Sequence, residues 1–232
     1  AYFGYNYYVD HLKPLKIINK KGTNSSALRE SNQNTDEDKY YDVLIVGAGP
    51  AGSTAAYYLA KYGKYKIGLL ERKQFPRDKI CGDAWCEPAL QILEEMGILS
   101  EIEQDNVCNA VKYGGFVSPF GYACINTADS RTEYGSSKSI RTYAIKRIIC
   151  DERIANKAKQ AGADLLENTE VEHAELQPDS KLWTLTTKSK QTFTSRFLII
   201  ADGTTSYLAQ KLGIVDGEAM GVCSRHYVKG GT

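Results

Sequence analysis

The pattern of apolar and polar positions changes near Tyr41, from a polar segment to regularly spaced apolar residues. Residues 20–40 are almost entirely polar or charged, so ordered structure is predicted to begin at Tyr41. The apolar run 42–46, bounded by turn residues, predicts a buried strand of a parallel sheet. Apolar positions then recur at helical spacing as far as Gly63, a residue type that often ends helices, and residues 66–71 predict a second strand. This order predicts an α/β domain with a parallel sheet and crossover helices.

The later part of the chain continues with short helices and strands. Its predicted elements are a helix over 87–99, extended segments over 107–126 that break at Gly114-Gly115 and at Pro119, a helix from Tyr143 to Ala161, and four short strands within 164–201. No internal repeat accompanies them. The pattern is typical of an α/β domain with an inserted β-rich segment.

Composition narrows the classes of partner. The 29 basic and 28 acidic residues nearly cancel, so no broad positive field favours nucleic acid. Six cysteines are scattered through the 232 residues, without the dense framework of a small secreted domain. We therefore predict mostly free thiols and an intracellular protein, in a compartment, organellar or not, that the sequence does not name.

The first 40 residues are predicted to be an N-terminal arm and polar linker. Residues 1–16 mix aromatic and basic side chains, as the flanks of membrane interfaces do. A terminal arm accounts for the same pattern and is the favoured interpretation; peripheral membrane contact is the alternative. The sequence holds no apolar run of about 18 residues that would span a membrane.

A glycine-rich turn, GAGPAG, occupies residues 47–52 between the first strand and the first helix. In this context Gly47 permits a tight turn, Gly49 lets the backbone approach a pyrophosphate, and Gly52 lets helix and strand pack closely. Glu71, at the end of the second strand, is placed to accept hydrogen bonds from ribose hydroxyls. The turn predicts a dinucleotide site, and NAD and FAD both fit it.

Three further motifs accompany the turn: PRDKICGD (76–83), AIKRIICDERI (144–154) and ADGTTS (201–206). With GAGPAG, they resemble the FAD-dependent family that contains geranylgeranyl reductases, aromatic-ring hydroxylases and halogenases, and they match the geranylgeranyl reductase branch best. The resemblance runs from about Tyr41 to the C-terminus. It implies a Rossmann-like FAD-binding domain of the GR2 type that leads into a β-rich substrate domain.

The resemblance also implies roles for particular residues. The cofactor-binding set is Gly47, Gly49, Pro50, Ala51, Gly52, Glu71, Arg72, Arg147, Asp202 and Gly203. Within it, Arg72 is the basic neighbour expected near the pyrophosphate or adenosine, and Arg147 begins the helix that lies along the cofactor. Cys81, Gly82 and Asp83 would line the reaction site, facing the substrate. The implied cofactors are FAD and, as electron donor, NAD(P)H.

Cys81 and Cys86 also have to be weighed as a pair. Their C-x4-C spacing lacks the C-x2-C continuation of a plant-type iron–sulfur site, and the histidines are distant in sequence. We therefore predict no metal site. A disulfide between the two is sterically feasible but nothing else in the sequence indicates one. Cys86 receives no role.

Domain boundaries follow from the same motifs. We predict an FAD-binding domain over 41–104 and 141–215, and part of a substrate domain over 105–140 and 216–232. The Gly-Asp motif that the family carries further downstream is not found after Asp202. A truncated chain, a second chain that completes the fold, or a degenerate protein would each explain this.

The resemblance implies an FAD-dependent oxidoreductase. The leading hypothesis is NAD(P)H-driven reduction of carbon–carbon double bonds in an isoprenoid or lipid-like substrate. The alternatives are a flavin monooxygenase or halogenase, and a non-catalytic subunit of a larger assembly. An NAD-dependent dehydrogenase is the remaining hypothesis, and it would need the strand–helix alternation to continue after Glu71.

Overall fold

The structure is a computed structural model that describes residues 39–111, 113–118, 120–126, 141–215 and 224–227. The predicted N-terminal arm up to residue 38, the predicted break at Pro119 and most of the segment 216–232 lie outside the described residues. Sixteen helices and strands are described, in the order β1 (Tyr40–Val46), α1 (Pro50–Tyr62), β2 (Ile67–Leu70), β3 (Ala84–Cys86), α2 (Glu87–Glu95), α3 (Ile98–Gln104), β4 (Cys108–Ala110), β5 (Tyr113–Ser118), β6 (Gly121–Asn126), β7 (Thr142–Ile145), α4 (Arg147–Gln160), β8 (Asp164–Leu166), β9 (Val171–Leu176), β10 (Trp183–Thr187), β11 (Thr192–Ile200) and α5 (Tyr207–Lys211).

A six-stranded, mostly parallel sheet forms the centre of the described fold. Its strand order is β8-β2-β1-β11-β10-β9. Strands β8, β2, β1 and β11 run parallel, and β9, β10 and β11 form an antiparallel meander at the other edge. The four strands predicted within 164–201 are β8 to β11. The predicted α/β class with a Rossmann-like parallel sheet is confirmed.

The first strand–helix–strand unit forms as its sequence predicts. Strand β1 is apolar and buried, with Leu44 and Ile45 fully inaccessible. Helix α1 begins at Pro50, whose fixed φ and missing N–H suit the first helical position. It ends at Gly63, whose N–H donates to the Leu59 carbonyl at 3.0 Å. Strand β2 then pairs parallel to β1.

The two faces of the sheet pack against different layers. Val43 and Ile45 of β1 belong to a core with the helices, where α1 and α4 pack beside α2 and α3. Leu44 and Val46 belong to a second core, which includes Leu208 of α5. Since neighbouring residues of a strand point to opposite faces, one apolar run serves both cores. This is the burial expected of a parallel strand covered on both sides.

Two predicted helices differ from the observed ones. The helix predicted over 87–99 is divided into α2 and α3 at Gly97, whose φ of +71° is left-handed and cannot continue a helix. The helix predicted from Tyr143 begins only at Arg147. Residues Thr142–Ile145 instead form β7, because the edges of β3 and β4 offer backbone partners on either side.

Two smaller sheets complete the described part of the chain. Strands β3, β7 and β4 form one antiparallel sheet, and β5 pairs with β6 as a hairpin. The glycines at 114 and 115, predicted to break an extended segment, lie inside β5. The first of these sheets takes strands from both predicted domains, since β4 lies in the segment assigned to the substrate domain. The domain assignment itself stays a prediction.

Candidate functional site

The glycine-rich turn lies where three parallel strands end together. The Gly47 N–H donates to the Leu70 carbonyl at 2.8 Å, and the Ala201 N–H donates to the Val46 carbonyl at 2.8 Å. Gly47 has a φ of +100°, and a side chain there would collide with the Ala201 carbonyl. A side chain at Gly52 would collide with the carbonyl oxygen of Gly47. Backbone packing therefore leaves no room for a β-carbon at either position.

Gly49 differs from its two neighbours. It is the N-cap of α1, in an extended conformation with φ −76° and ψ −176°, and a β-carbon added there meets no atom within 4 Å. Pro50 and Ala51 follow at the helix start, and the first turn holds no acidic residue. Free N–H groups at a helix N-terminus bind anions. The space beside Gly49 is therefore suited to a phosphate group.

Glu71 lies at the same turn and is 5% exposed. Its Oε2 accepts a hydrogen bond from the Ala48 N–H at 3.2 Å, and its Oε1 accepts one from the Lys73 N–H at 3.1 Å. The carboxylate is thus fixed to the backbone of the glycine-rich turn, next to the N-terminus of α1. Arg72, predicted to contact the cofactor, is exposed, and its role stays a prediction.

Arg77 is a basic side chain inside this site to which the sequence analysis gave no role. Its Nη2 donates to Glu71 Oε2 and to the Ala48 carbonyl, both at 3.0 Å, and its Nη1 donates to Asp151 Oδ2 at 2.7 Å. The side chain is 9% exposed. Arg77 therefore ties the glycine-rich turn and the end of β2 to helix α4.

Helix α4 contributes the rest of this ion-pair network. Arg147 donates from Nε and Nη2 to the two oxygens of Asp151, at 2.6 and 2.8 Å. Asp151 is fully buried. It accepts hydrogen bonds from two arginines, Arg77 and Arg147. Burial alone would lower the pKa of Arg147, but the hydrogen bond and charge of Asp151 outweigh it, and the pKa is raised. Charge balance makes this buried network tolerable, because each carboxylate faces a guanidinium.

Residues 75–83, the Cys81 loop, run from the end of the β2 region to β3. Cys81 and Gly82 are exposed, and Asp83 is partly buried. Asp83 Oδ1 accepts a hydrogen bond from the Arg147 N–H at 3.1 Å, at the first residue of α4. The Asp83 carbonyl also accepts from the Ile145 N–H at 2.9 Å. The loop is thereby held against the start of the helix that carries Arg147.

Asp83 has further partners in the segment 224–227. Arg225 Nη1 donates to Asp83 Oδ1 at 3.1 Å, and the Tyr227 hydroxyl donates to Asp83 Oδ2 at 2.7 Å. The negative charge of Asp83 raises the pKa of Tyr227, chiefly through that hydrogen bond. Both oxygens of Asp83 are therefore occupied as acceptors.

Asp202 and Gly203 follow β11 at the same end of the sheet. Gly203 has a φ of +98° and nothing within 4 Å of where its β-carbon would be. Asp202 Oδ2 accepts from the Leu208 N–H at 3.4 Å near the start of α5. Its Oδ1 is buried without a hydrogen-bond partner among the described residues. A cavity of about 570 Å³ opens here, and its lining includes Ala51, Asp202, Ile214 and Val215.

The cysteines whose side chains the structure describes are Cys81, Cys86, Cys108 and Cys150, and all four are free thiols. Burial and the charge of Asp151 raise the pKa of the Cys150 thiol, so it is held as a neutral thiol.

Within the described ranges, no group of three or more His, Cys, Asp and Glu side chains could hold a metal ion. Over the same residues, no helix has both the length and the apolar character needed to cross a bilayer.

The model of the FAD binding domain family matches residues 40–228. The chain belongs to this family. Its members are FAD-dependent flavoproteins and generally oxidoreductases. The match covers every described element, so the resemblance seen in the motifs is confirmed.

Individual relatives extend the comparison. Conditioned medium factor receptor 1 of Dictyostelium discoideum is 40% identical over 225 residues, which cover 94% of this chain and 44% of that protein. A digeranylgeranylglycerophospholipid reductase of Methanocaldococcus jannaschii is 32% identical over 177 residues, covering 75% of this chain and 41% of that protein. The chain thus spans less than half the length of either relative.

A solved flavoprotein/dehydrogenase of Cytophaga hutchinsonii has a TM-score of 0.62 and 24% identity, covering 75% of this chain and 42% of that one, and it shows the same fold. Menaquinone reductases, FAD-dependent halogenases and a probable FAD-dependent monooxygenase are also among the matches. These names differ in the reaction that they state.

The described residues fit FAD on four structural observations. The space beside Gly49 is open, the helix start has no acidic residue, and a buried carboxylate stands at the end of β2. A fourth is the buried Oδ1 of Asp202, an acceptor in need of a donor. The structure brings Gly47, Gly52 and Glu71 together, and Arg147 is joined to them through Asp151 and Arg77.

Sequence reasoning missed Arg77, Asp151, Arg225 and Tyr227 as parts of this site. A signal existed for Asp151, because Arg147 and Asp151 stand four residues apart and face each other on a helix. Arg77 lies within the PRDKICGD motif but was given no role. No local pattern could have joined Arg225 to Asp83, since the two are 142 positions apart.

Proposed function

We propose that this protein is an FAD-dependent reductase that acts on carbon–carbon double bonds of an isoprenoid or lipid-like substrate, with NAD(P)H as the electron donor. The observation that carries the proposal is the fixation of the Cys81 loop, through Asp83, at the start of α4 beside the glycine-rich turn. This contact joins the loop motif that best matches the reductase branch to the cofactor cradle, which is formed by the glycine-rich turn and Glu71. Relatives named as reductases of isoprenoid lipids support the substrate class. Peripheral contact with an intracellular membrane would suit such a substrate.

The residues divide into those that hold the cofactor and those that shape the reaction site. The N-terminus of α1, open beside Gly49, would receive the pyrophosphate, and Glu71 would receive the ribose hydroxyls. Arg77 places a guanidinium 3.0 Å from the Glu71 carboxylate at this turn. When bound, FAD supplies the hydride-transfer chemistry.

The Cys81 loop would form one wall of the substrate space. Asp83 uses both carboxylate oxygens as acceptors for Arg147, Arg225 and Tyr227, so it anchors the loop. Cys81 and Gly82 are left exposed beyond that anchor. Hydride delivery requires no thiol, which makes Cys81 a contact that shapes the site.

A second candidate is a flavoprotein that binds a ligand without converting it. One observation favours it: the relative that is 40% identical over nearly the whole chain is named as a receptor. In that case the cradle around Glu71 would be retained for stability or for ligand sensing.

The two candidates differ in what the purified full-length natural protein does. Oxidised flavin absorbs at about 450 nm, and a protein that uses FAD is expected to show that band. NADH or NADPH should then bleach the band without oxygen. Adding a polyprenyl lipid should restore it and yield a product heavier by two hydrogens, detected by mass spectrometry.

The control is the same mixture with the fully saturated lipid, which should leave the flavin reduced. A product heavier by one oxygen, formed only in air with NAD(P)H consumption, would identify a monooxygenase instead. A flavin that NAD(P)H reduces but no polyprenyl lipid reoxidises would contradict the reductase and favour the binding role.

A further inference from the structure

Arg225 contacts the Cys81 loop at five acceptor atoms. Its Nη1 donates to the carbonyls of Lys79 and Cys81, at 3.1 and 3.2 Å, and to Asp83 Oδ1 at 3.1 Å. Its Nη2 donates to the two oxygens of Asp78, at 2.9 and 2.7 Å. One guanidinium thus spans six residues of the loop, on both sides of Cys81.

Tyr227 supports the same arrangement from two residues further along. Its hydroxyl holds Asp83 Oδ2, and its ring lies 4.8 Å from the Arg225 guanidinium and 5.3 Å from Lys146 Nζ. Lys146 is the residue immediately before α4. The segment 224–227 therefore bridges the loop and the helix start that Asp83 also joins.

The contacts differ in strength because they differ in exposure. The side chains of Arg225 and Asp83 are each 15% exposed, whereas that of Asp78 is 51% exposed. An exposed ion pair contributes little, so Asp78 is the minor partner. The charge-assisted bonds to Asp83 and to two loop carbonyls are the main ones.

We propose that Arg225, supported by Tyr227, is a positioning residue that holds Cys81 and Gly82 in place through Asp83 and the carbonyls of Lys79 and Cys81. The statement that the positioned loop serves reduction rests on the proposed function. The contacts by which Arg225 and Tyr227 hold the loop, here called the clamp, are independent of it. The planar guanidinium suits this role because it presents several donors in fixed directions, whereas a lysine offers one point charge. Every hydrogen bond described for Arg225 goes to the loop, none to the core of the sheet.

Limited proteolysis of the full-length natural protein with endoproteinase Lys-C tests the clamp directly. The scissile Lys79–Ile80 bond carries the carbonyl that Arg225 holds, and substituting an arginine changes no Lys-C site. Arg225→Gln should speed cleavage at Lys79 by about tenfold, because cleavage follows the population of locally opened loop. Cleavage at Lys64, in the exposed turn after α1, is the internal reference, measured on the same sample by mass spectrometry.

Two further variants sharpen the result. Tyr227→Phe removes only the hydroxyl bond to Asp83 and should give a smaller increase, about threefold. Arg153→Gln, which breaks an ion pair with Asp105 elsewhere on α4, should leave Lys79 cleavage unchanged.

The expected pattern is a rise at Lys79 alone. Unchanged Lys79 cleavage in Arg225→Gln would overturn the proposal, and an equal rise at Lys64 would also overturn it, since that would mean general destabilisation. The visible circular dichroism of bound flavin provides the second measurement. A rise at Lys79 with no change in that signal would keep the clamp but contradict the loop's place beside the flavin, and hence the proposed function.

Discussion

The glycine-rich turn and the Cys81 loop meet at the same end of the sheet but are held there by different forces. The turn is held by main-chain contacts. The Gly47 N–H donates a hydrogen bond to the Leu70 carbonyl, and Gly52 packs so closely on Gly47 that no β-carbon fits between them. The loop is held by charged side chains, chiefly Arg77 and Arg225. The turn is therefore specified by a few neighbouring residues, whereas the loop depends on partners from distant parts of the chain.

This difference has a consequence for mutation. A steric requirement of the backbone fails at once when a single carbon is added, because close-packed main chain cannot move aside. A network of charges fails when one member is removed, because a buried partner loses its counter-charge. Substitutions at Gly47 or Gly52 should therefore destabilise the fold by steric collision, whereas substitution of a buried arginine should act by leaving a carboxylate with one partner fewer.

The largest effect is expected within the turn itself, from the pair Gly52→Ala and Gly49→Val. At Gly52 the new carbon collides with a backbone carbonyl, and overpacking of this kind costs about 3 kcal/mol or more of the free energy of unfolding. At Gly49 the carbon enters open space, so the protein should stay folded. Flavin content should fall at least about tenfold, since the new side chain fills the place of the pyrophosphate.

Urea unfolding and the ratio of flavin to protein absorbance measure the two effects. Gly49→Ala is the matched control, with a smaller loss of flavin than Gly49→Val. Normal flavin content in Gly49→Val would refute the assignment of the pyrophosphate to this turn. Normal stability in Gly52→Ala would show that the backbone packing seen here is not required.

The next effect is expected from Arg77→Gln, with Arg72→Gln as its control. Arg77 is buried between Glu71 and Asp151, and removing its charge leaves two buried carboxylates with one fewer partner. The expected loss is about 3 kcal/mol in the free energy of unfolding. Arg72 is exposed, so its substitution should leave the unfolding curve unchanged.

Denaturant unfolding of both variants, without added cofactor, separates the arginines. Similar stability of Arg77→Gln and wild type would mean that the ion-pair network does not hold the loop. A loss of flavin from Arg72→Gln at unchanged stability would support the role that the resemblance implies for Arg72.

The parts of the fold that could be predicted from sequence are those with local causes. The strand from residue 42, the helix that ends at Gly63 and the four strands within 164–201 follow from apolar spacing and turn residues. Gly97 divides a predicted helix because its backbone is left-handed, and a glycine alone does not reveal its φ. Strand β7 depends on pairing with β3 and β4, which no local pattern shows.

The site divides in the same way. Gly47, Gly52 and Glu71 could be placed because the glycine spacing and the following strand fix their neighbourhood. Arg77 meets Asp151 across 74 positions, and only the folded sheet and helix bring them together. The local sequence pattern thus predicts the glycine-rich turn and Glu71, whereas the ion pairs around them can be identified only from the tertiary structure.

The smallest effect is expected from Cys81→Ser, with Cys86→Ser as its control. Both thiols are exposed, and Cys81 is tied to the clamp by its carbonyl rather than by its sulfur. Stability and flavin content should therefore equal those of wild type in both variants. Turnover or product distribution should change in Cys81→Ser only, since Cys81 stands in the loop that would face substrate.

Steady-state assays and product analysis measure the activities of the two variants. Equal activity of the two variants would mean that the sulfur of Cys81 makes no contact with substrate, and loss of the fold in Cys81→Ser would show that the thiol is packed in the protein instead.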